Sequence, residues 1–264
     1  MHDENREELK EYAAAKLNLT SDSVPENAAA TTWETISLKY KYLGTPATSP
    51  ALQSALRIWV SGDTSGAFNW KQVGDHLRGF LKDKNYEPIG YVLFSKEGSS
   101  INDNKSDAER VSRAKEALDA AAATVNGGLD TLPSHDGVSY RMAGVESKTV
   151  YGGKISVGDY IKDKAFWSTS ALRISGSAGQ WGTDGTEANP KVYFIINGST
   201  GKYISKHAQQ EEGQHEVLFK NGVPFRVTKI GNYKYATFFV YLDEVPLVDG
   251  MVIKNPYNGN VYED

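Results

Sequence analysis

Glu211-Glu212-Gly213-Gln214-His215-Glu216-Val217-Leu218-Phe219 runs a polar loop directly into an apolar strand. In an extended strand alternate side chains share a face, so Gln214 and Glu216 are expected to point together into one site while His215 and Val217 point away. A lone carboxylate at the start of a strand means little. Two stretches upstream raise this one: Arg141 within Val138-Ser139-Tyr140-Arg141-Met142, and Ser168-Thr169-Ser170 directly after Phe166-Trp167.

All three stretches fall in the part of the chain, from Gly137 onward, that reads as strands. These are expected at Val138–Met142, Lys154–Val157, Phe166–Ser170, Val192–Ile196, Tyr203–Ile204, Glu216–Phe219, Pro224–Ile230 and Tyr235–Glu244. Turn pairs such as Gly152-Gly153, Gly158-Asp159, Asn197-Gly198 and Asn221-Gly222 join them, a pattern of packed, antiparallel-rich sheets. The run from Ser175 to Pro190, rich in Gly and Thr, reads as a long loop, and loops of that length are often functional.

Helices precede the strands. Ser106-Asp107-Ala108-Glu109 is a capping box opening a helix with Val111, Ala114, Leu118 and Ala121 on one side, and Gly127-Gly128 is expected to close it. Ser49-Pro50 opens another, with Leu52, Leu56, Trp59 and Val60 at helical spacing; a third, from about Trp70, buries Val73, Leu77, Phe80 and Leu81. Gly90–Phe94 is a strand candidate between them. Helices first and strands after give an α+β class. Residues 1–50 read as an N-terminal extension, a short amphipathic helix over 6–17 followed by a polar linker with a strand-like segment at 35–43, and residues 51–264 as one domain.

Composition narrows the chemistry. The chain has 264 residues and no cysteine, which excludes disulfide frameworks, thiolate zinc sites and cysteine nucleophiles. The net charge of -4 gives no general attraction to nucleic acid or anionic membrane, so direct binding to either is not expected. No apolar run is long enough to span a bilayer, and the acidic, polar first residues do not read as a cleavable signal peptide. Phosphate-binding loops of the GxxxxGK[ST] type, HExxH and GxSxG are all absent. Among the five histidines only His207 and His215 approach ligand spacing, and two imidazoles without carboxylate support do not make a metal site.

Each candidate residue has a plain structural reading beside the chemical one. Arg141 fits a surface arginine paired with a carboxylate; it also fits a pyrophosphate or ribose anchor, since a guanidinium is a rigid bidentate fork that stays charged. Ser168-Thr169-Ser170 fits an exposed strand face, yet alternation puts Ser168 and Ser170 together, where hydroxyls can hold a carboxylate in place. Glu216 fits an ordinary strand-edge glutamate. Its chemical reading is specific: cleavage of an N-glycosidic bond passes through an oxocarbenium-like state that one fixed carboxylate stabilises.

Taken in order, Arg141, the stretch Gly158–Ser170 ending in Phe166-Trp167-Ser168-Thr169-Ser170, and Gly201–Ser205 followed by Gln214-His215-Glu216-Val217-Leu218-Phe219 resemble the arginine, Ser-Thr-Ser and Glu/Gln-x-Glu signature of bacterial mono-ADP-ribosyltransferases. Leu56-Arg57 and Leu77-Arg78 are similar to the family's early helices. The likeness spans about residues 51–245. It implies the ADP-ribosyltransferase fold, two packed, mainly antiparallel sheets flanked by helices with an NAD cleft between them. It implies transfer of ADP-ribose from NAD to a side chain of a target protein, with NAD as substrate and no metal. Arg141 would hold NAD with Ser168, Thr169 and Ser170, Ser168 would position Glu216, Glu216 would engage the nicotinamide ribose, and Arg78 would assist at the phosphates. A toxin, a secreted or injected effector, or a phage-encoded modifier acting in the cytoplasm is the role such a resemblance implies.

Gln214 stands where arginine-modifying members carry Glu. A Gln here accompanies asparagine as acceptor in the family's Rho-modifying exoenzymes, but those carry an aromatic ring on the preceding loop. This loop reads His207-Ala208-Gln209-Gln210-Glu211-Glu212-Gly213, with no Phe, Tyr or Trp ring and two extra carboxylates. Either Gln214 serves a non-arginine acceptor, or an arginine-specific site has Gln in place of Glu; the acidic loop tips the balance to arginine. An NAD glycohydrolase and an inactive NAD- or protein-binding module are the rival readings.

Overall fold

The computed structural model of the chain describes residues 107–135, 137–171, 185–204, 215–233 and 236–262. The expected N-terminal extension, the helices from Ser49 and Trp70 with Arg78, the strand at Gly90–Phe94, most of the Ser175–Pro190 loop, and Gln214 lie outside the described residues. Among the described residues a helix, α1 (Asp107–Asp130), comes first. Nine strands follow among the described residues: β1 (Gly137–Gly144), β2 (Tyr160–Ile161), β3 (Trp167–Ser170), β4 (Lys191–Gly198), β5 (Lys202–Tyr203), β6 (Glu216–Phe219), β7 (Phe225–Tyr233), β8 (Thr237–Glu244) and β9 (Ile253–Lys254).

Helix α1 starts where the capping box puts it but does not stop at Gly127-Gly128. Neither glycine takes the left-handed conformation that ends a helix. Instead Ala122, Val125 and Leu129 form a buried face at helical spacing, and Leu132 continues that burial past the glycines. The helix ends only when Thr131 and Leu132 turn back onto the carbonyls of Gly128 and Leu129.

The strands form one ladder in the order β5-β6-β3-β1-β4-β8-β7-β2-β9, where the sequence suggested two sheets. Most pairings are antiparallel, but β4 runs parallel to β8 and β2 parallel to β9, so the sheet is mixed. The expected strand at Lys154–Val157 is a tight turn instead: Ile155 bonds back to Val150 and to Gly152 across the Gly152-Gly153 pair. Two-residue strands β2 and β9 take up the pairing.

The ladder does not lie flat. Strands β3 and β7 are four steps apart, which in a flat sheet is roughly 19 Å at the usual inter-strand spacing. Yet the rings of Trp167 on β3 and Phe225 on β7 have centroids 5.0 Å apart, and Phe219 on β6 meets Phe225 at 5.3 Å. The sheet therefore curls until its two halves face one another, and the core fills the space between: Trp167, Phe194, Val217, Phe219, Phe225, Phe238 and Val240 all belong to one buried cluster. Accumulated strand twist makes such a curl natural. The opposite face of the central strands carries a second apolar cluster, Val138, Tyr140, Tyr193, Ile195, Phe239 and Tyr241.

Phe219 is held by the absence of side chains opposite it. A Cβ on Gly201 would lie 2.7 Å from Phe219 Cζ and 2.8 Å from Val217 Cγ1, both far closer than real Cβ contacts come. Gly201→Ala is therefore expected to lower stability by about 1–3 kcal/mol through overpacking. The same change should cost less in a Phe219→Leu background, where the ring is gone. Urea denaturation midpoints of the four proteins check both statements.

Candidate active site

Strand register decides which side chains meet. Ser170 pairs with Glu216 across β3 and β6, and with Tyr140 across β3 and β1, so Tyr140, Ser170 and Glu216 form a lateral row on one face. Ser168, two residues along β3, shares that face by alternation. There its hydroxyl donates to Glu216 Oε1 at 2.5 Å. Glu216 is buried, so the donor matters: a carboxylate taken out of water needs bonds to replace those it lost. Its backbone is pinned on both flanks. Ile204 N–H donates to the Glu216 carbonyl (2.9 Å), and Ala171 N–H donates to the His215 carbonyl (2.8 Å).

Thr169 faces the other way. Its hydroxyl donates to the Val217 carbonyl at 2.8 Å, clamping β3 to β6 from the core side. The Ser-Thr-Ser stretch thus divides its work as alternation requires, with Ser168 and Ser170 on the face of the carboxylate and Thr169 on the face of the core.

Arg141 pairs with Phe194 of the core cluster, so its side chain leaves β1 on the core face, opposite to Glu216. It returns to the site through the backbone. Strands β1 and β3 share a single register pair, Tyr140 with Ser170, and beyond it the Arg141 guanidinium donates from Nη1 to the Ser168 carbonyl at 2.6 Å. Arg141 Nε is buried with no hydrogen-bond partner among the described residues. One residue, Ser168, therefore touches both others: its carbonyl takes the guanidinium and its hydroxyl holds the carboxylate.

The expectation for Gln214 rested on an extended chain through His215. His215 is instead left-handed, with φ of 43°, and β6 begins only at Glu216. Face alternation consequently does not carry across it, and Gln214 and Arg78 lie outside the described residues. The His215 ring is buried, its Nδ1 2.8 Å from the Tyr203 hydroxyl, an arrangement no sequence motif announced.

Asp163, shortly before Ser168 in the chain, is buried as well. The Tyr257 hydroxyl donates to Asp163 Oδ2 at 2.6 Å, and Asp163 Oδ1 accepts the Ala165 N–H at 2.9 Å. Burial pushes the Tyr257 phenol far above its ordinary range, against the opposing pull of the Arg141 charge, so the hydroxyl keeps its proton and stays a donor. Asp163 could be noticed in sequence because it precedes Ser-Thr-Ser closely; Tyr257, 94 residues away, carries no local signal.

Neither family models nor curated proteins give a significant match to the chain. Solved structures do. The ADP-ribosyltransferase Vis from Vibrio splendidus, in complex with agmatine, superposes with a TM-score of 0.59 at 19% identity over 94% of this chain and 99% of its own. Vis with the M6 inhibitor gives 0.60 at 18% identity, over 95% and 99%. The ATR domain of Salmonella SpvB follows at 0.49 and 18%, over 75% and 100%; at that score it adds no weight. At such identities the likeness is one of fold, and the chain has the ADP-ribosyltransferase fold.

If the Ser168 hydroxyl satisfies the Glu216 carboxylate, the two residues are energetically coupled. Ser168→Ala is expected to cost about 1.5–3 kcal/mol at neutral pH, the range for a bond to a charged group. In a Glu216→Gln background the same change should cost less, with a coupling energy of at least about 0.5 kcal/mol. A double-mutant cycle by chemical denaturation measures this.

Proposed function

We propose that this protein is a mono-ADP-ribosyltransferase that moves ADP-ribose from NAD to a side chain of a target protein and releases nicotinamide. The observation that carries the proposal is the hydrogen-bonded connection of Arg141, Ser168 and a buried Glu216 on the ADP-ribosyltransferase fold. NAD, the substrate, would lie in a cleft at the face bearing Glu216, with the Ser-Thr-Ser strand at its wall and the Arg141 guanidinium reaching that strand through the Ser168 carbonyl. The bond between the ribose C1′ and the nicotinamide nitrogen breaks, its electron pair leaving with nicotinamide. Positive charge then develops on C1′ and the ring oxygen. A carboxylate held in place by Ser168 stabilises that charge without having to reorganise. The acceptor side chain attacks C1′ and gives up a proton.

Arginine is the acceptor the loop chemistry favours. Glu211 and Glu212 suit a basic target. Vis has been crystallised with agmatine, a guanidine compound. Gln214 weighs on the other side, because an amide can orient a guanidinium but cannot take its proton at neutral pH. That residue keeps NAD hydrolysis without a protein acceptor as the second reading. A catalytic domain over residues 51–264, and a role as a toxin or modifier of another cell's proteins, belong to the same proposal.

One assay tests the reading: release of labelled nicotinamide, and transfer of label from NAD to agmatine and to lysate proteins. Glu216→Ala should abolish transfer and hydrolysis alike, since both share the transition state. Activity above about a tenth of wild type, a barrier change under roughly 1.4 kcal/mol, would remove Glu216 from the centre of the mechanism. Gln214→Glu should raise agmatine modification strongly. No gain, with another side chain modified by the unaltered protein, rejects arginine as acceptor.

A further inference from the structure

Ser168 can hold Arg141 and Glu216 together only if β3 itself is held, and the strand is four residues long. The segment leading into it starts at Asp163, a buried carboxylate with no place in the mechanism above. Asp163 joins three parts of the chain. Its Oδ1 accepts the Ala165 N–H, its Oδ2 accepts the Tyr257 hydroxyl, and its backbone carbonyl accepts the Gly222 N–H at 3.1 Å. Ala165, Phe166 and Trp167 are all buried, and Trp167 is wedged edge-on between Phe194 and Phe225, so little slack separates Asp163 from Ser168.

Tyr257 is fixed in turn. Its N–H donates to Asn255 Oδ1 (2.8 Å), its carbonyl accepts the Glu146 N–H (2.8 Å), and its ring packs against the core cluster on the face from which Arg141 emerges.

We propose that Asp163 and Tyr257 are positioning residues for the reaction: Tyr257 locks the Asp163 carboxylate, which locks the chain running into Ser168, which aims both the Arg141 guanidinium and the Glu216 carboxylate. The segment around Tyr257 thereby becomes part of the active-site support, although it lies in none of the three sequence motifs. This rests on the transferase reading given above. The device acts through geometry rather than charge. An asparagine at 163 can still accept the Ala165 N–H through its oxygen and donate to the phenol oxygen through its amide. An alanine can do neither, and Tyr257→Phe removes the hydroxyl while keeping the ring.

The test pairs nicotinamide-release kinetics with 15N NMR of the Arg141 side chain, a readout that needs no NAD. Misplacement of a catalytic group by about 1 Å costs on the order of a hundredfold, so Tyr257→Phe and Asp163→Ala are expected to lower kcat at least about tenfold. Asp163→Asn should stay within about threefold of wild type on the same argument of preserved geometry. In Tyr257→Phe the Arg141 guanidinium, held in wild type by the Ser168 carbonyl, should rotate faster. A Tyr257→Phe protein with lowered thermal midpoint but unchanged kcat and unchanged guanidinium rotation would overturn the proposal and leave the pair a fold brace. A wild-type protein that releases no nicotinamide would defeat the transferase reading instead, and the guanidinium signal would still decide whether Tyr257 acts on Arg141.

Discussion

The hydrogen bond from Ser168 to Glu216 is the constraint on which the rest depends. A carboxylate at the start of a strand ordinarily points to water, where it has no defined position and little chemical leverage. Here the carboxylate is buried, and strand pairing sets a hydroxyl beside it. The pairing is exacting in its consequences: a slip of one residue between β3 and β6 would turn Ser168 and Ser170 to the core and bring Trp167 and Thr169 out to Glu216. What prevents the slip is the core side of the same strands. Trp167 and Phe219 are cross-strand partners inside the apolar cluster, and the Thr169 hydroxyl ties β3 to the Val217 carbonyl.

Curling of the sheet extends that control. Because Trp167 and Phe219 pack on Phe225, which belongs to the far half of the ladder, the short strands bearing the site are braced by long strands they never pair with. A pair of four-residue strands alone would be marginal in water. Packed against β7 and β8, it becomes a rigid platform. Arg141 belongs to this arrangement too, reaching Ser168 where the β1–β3 ladder has ended after one pair.

Much of this was legible in sequence wherever the controlling physics is local. Alternation placed Ser168 and Ser170 together, and the capping box placed the start of α1. Where long-range contacts decide, the sequence was a poorer guide. Gly127-Gly128 reads as a helix stop, yet burial of Leu129 and Leu132 carries the helix and its packing beyond it. Strands β2 and β9 have two residues each and exist only because β7 offers an edge to pair with. The joining of all strands into one ladder depends on the parallel β4–β8 pair, between segments 46 residues apart where Asn197 meets Asp243. His215 is the most instructive case. Nothing in its neighbours predicts a left-handed histidine, and β6 accordingly begins only at Glu216.

The central claim is that Glu216, held by Ser168, meets the ribose whose bond to nicotinamide is broken. A crystal structure with a non-cleavable NAD analogue tests it most directly. The account predicts the nicotinamide ribose within hydrogen-bond reach of the Glu216 carboxylate, about 2.6–3.2 Å, with the Ser168 bond intact. An analogue bound elsewhere, with its ribose remote from Glu216, would contradict it.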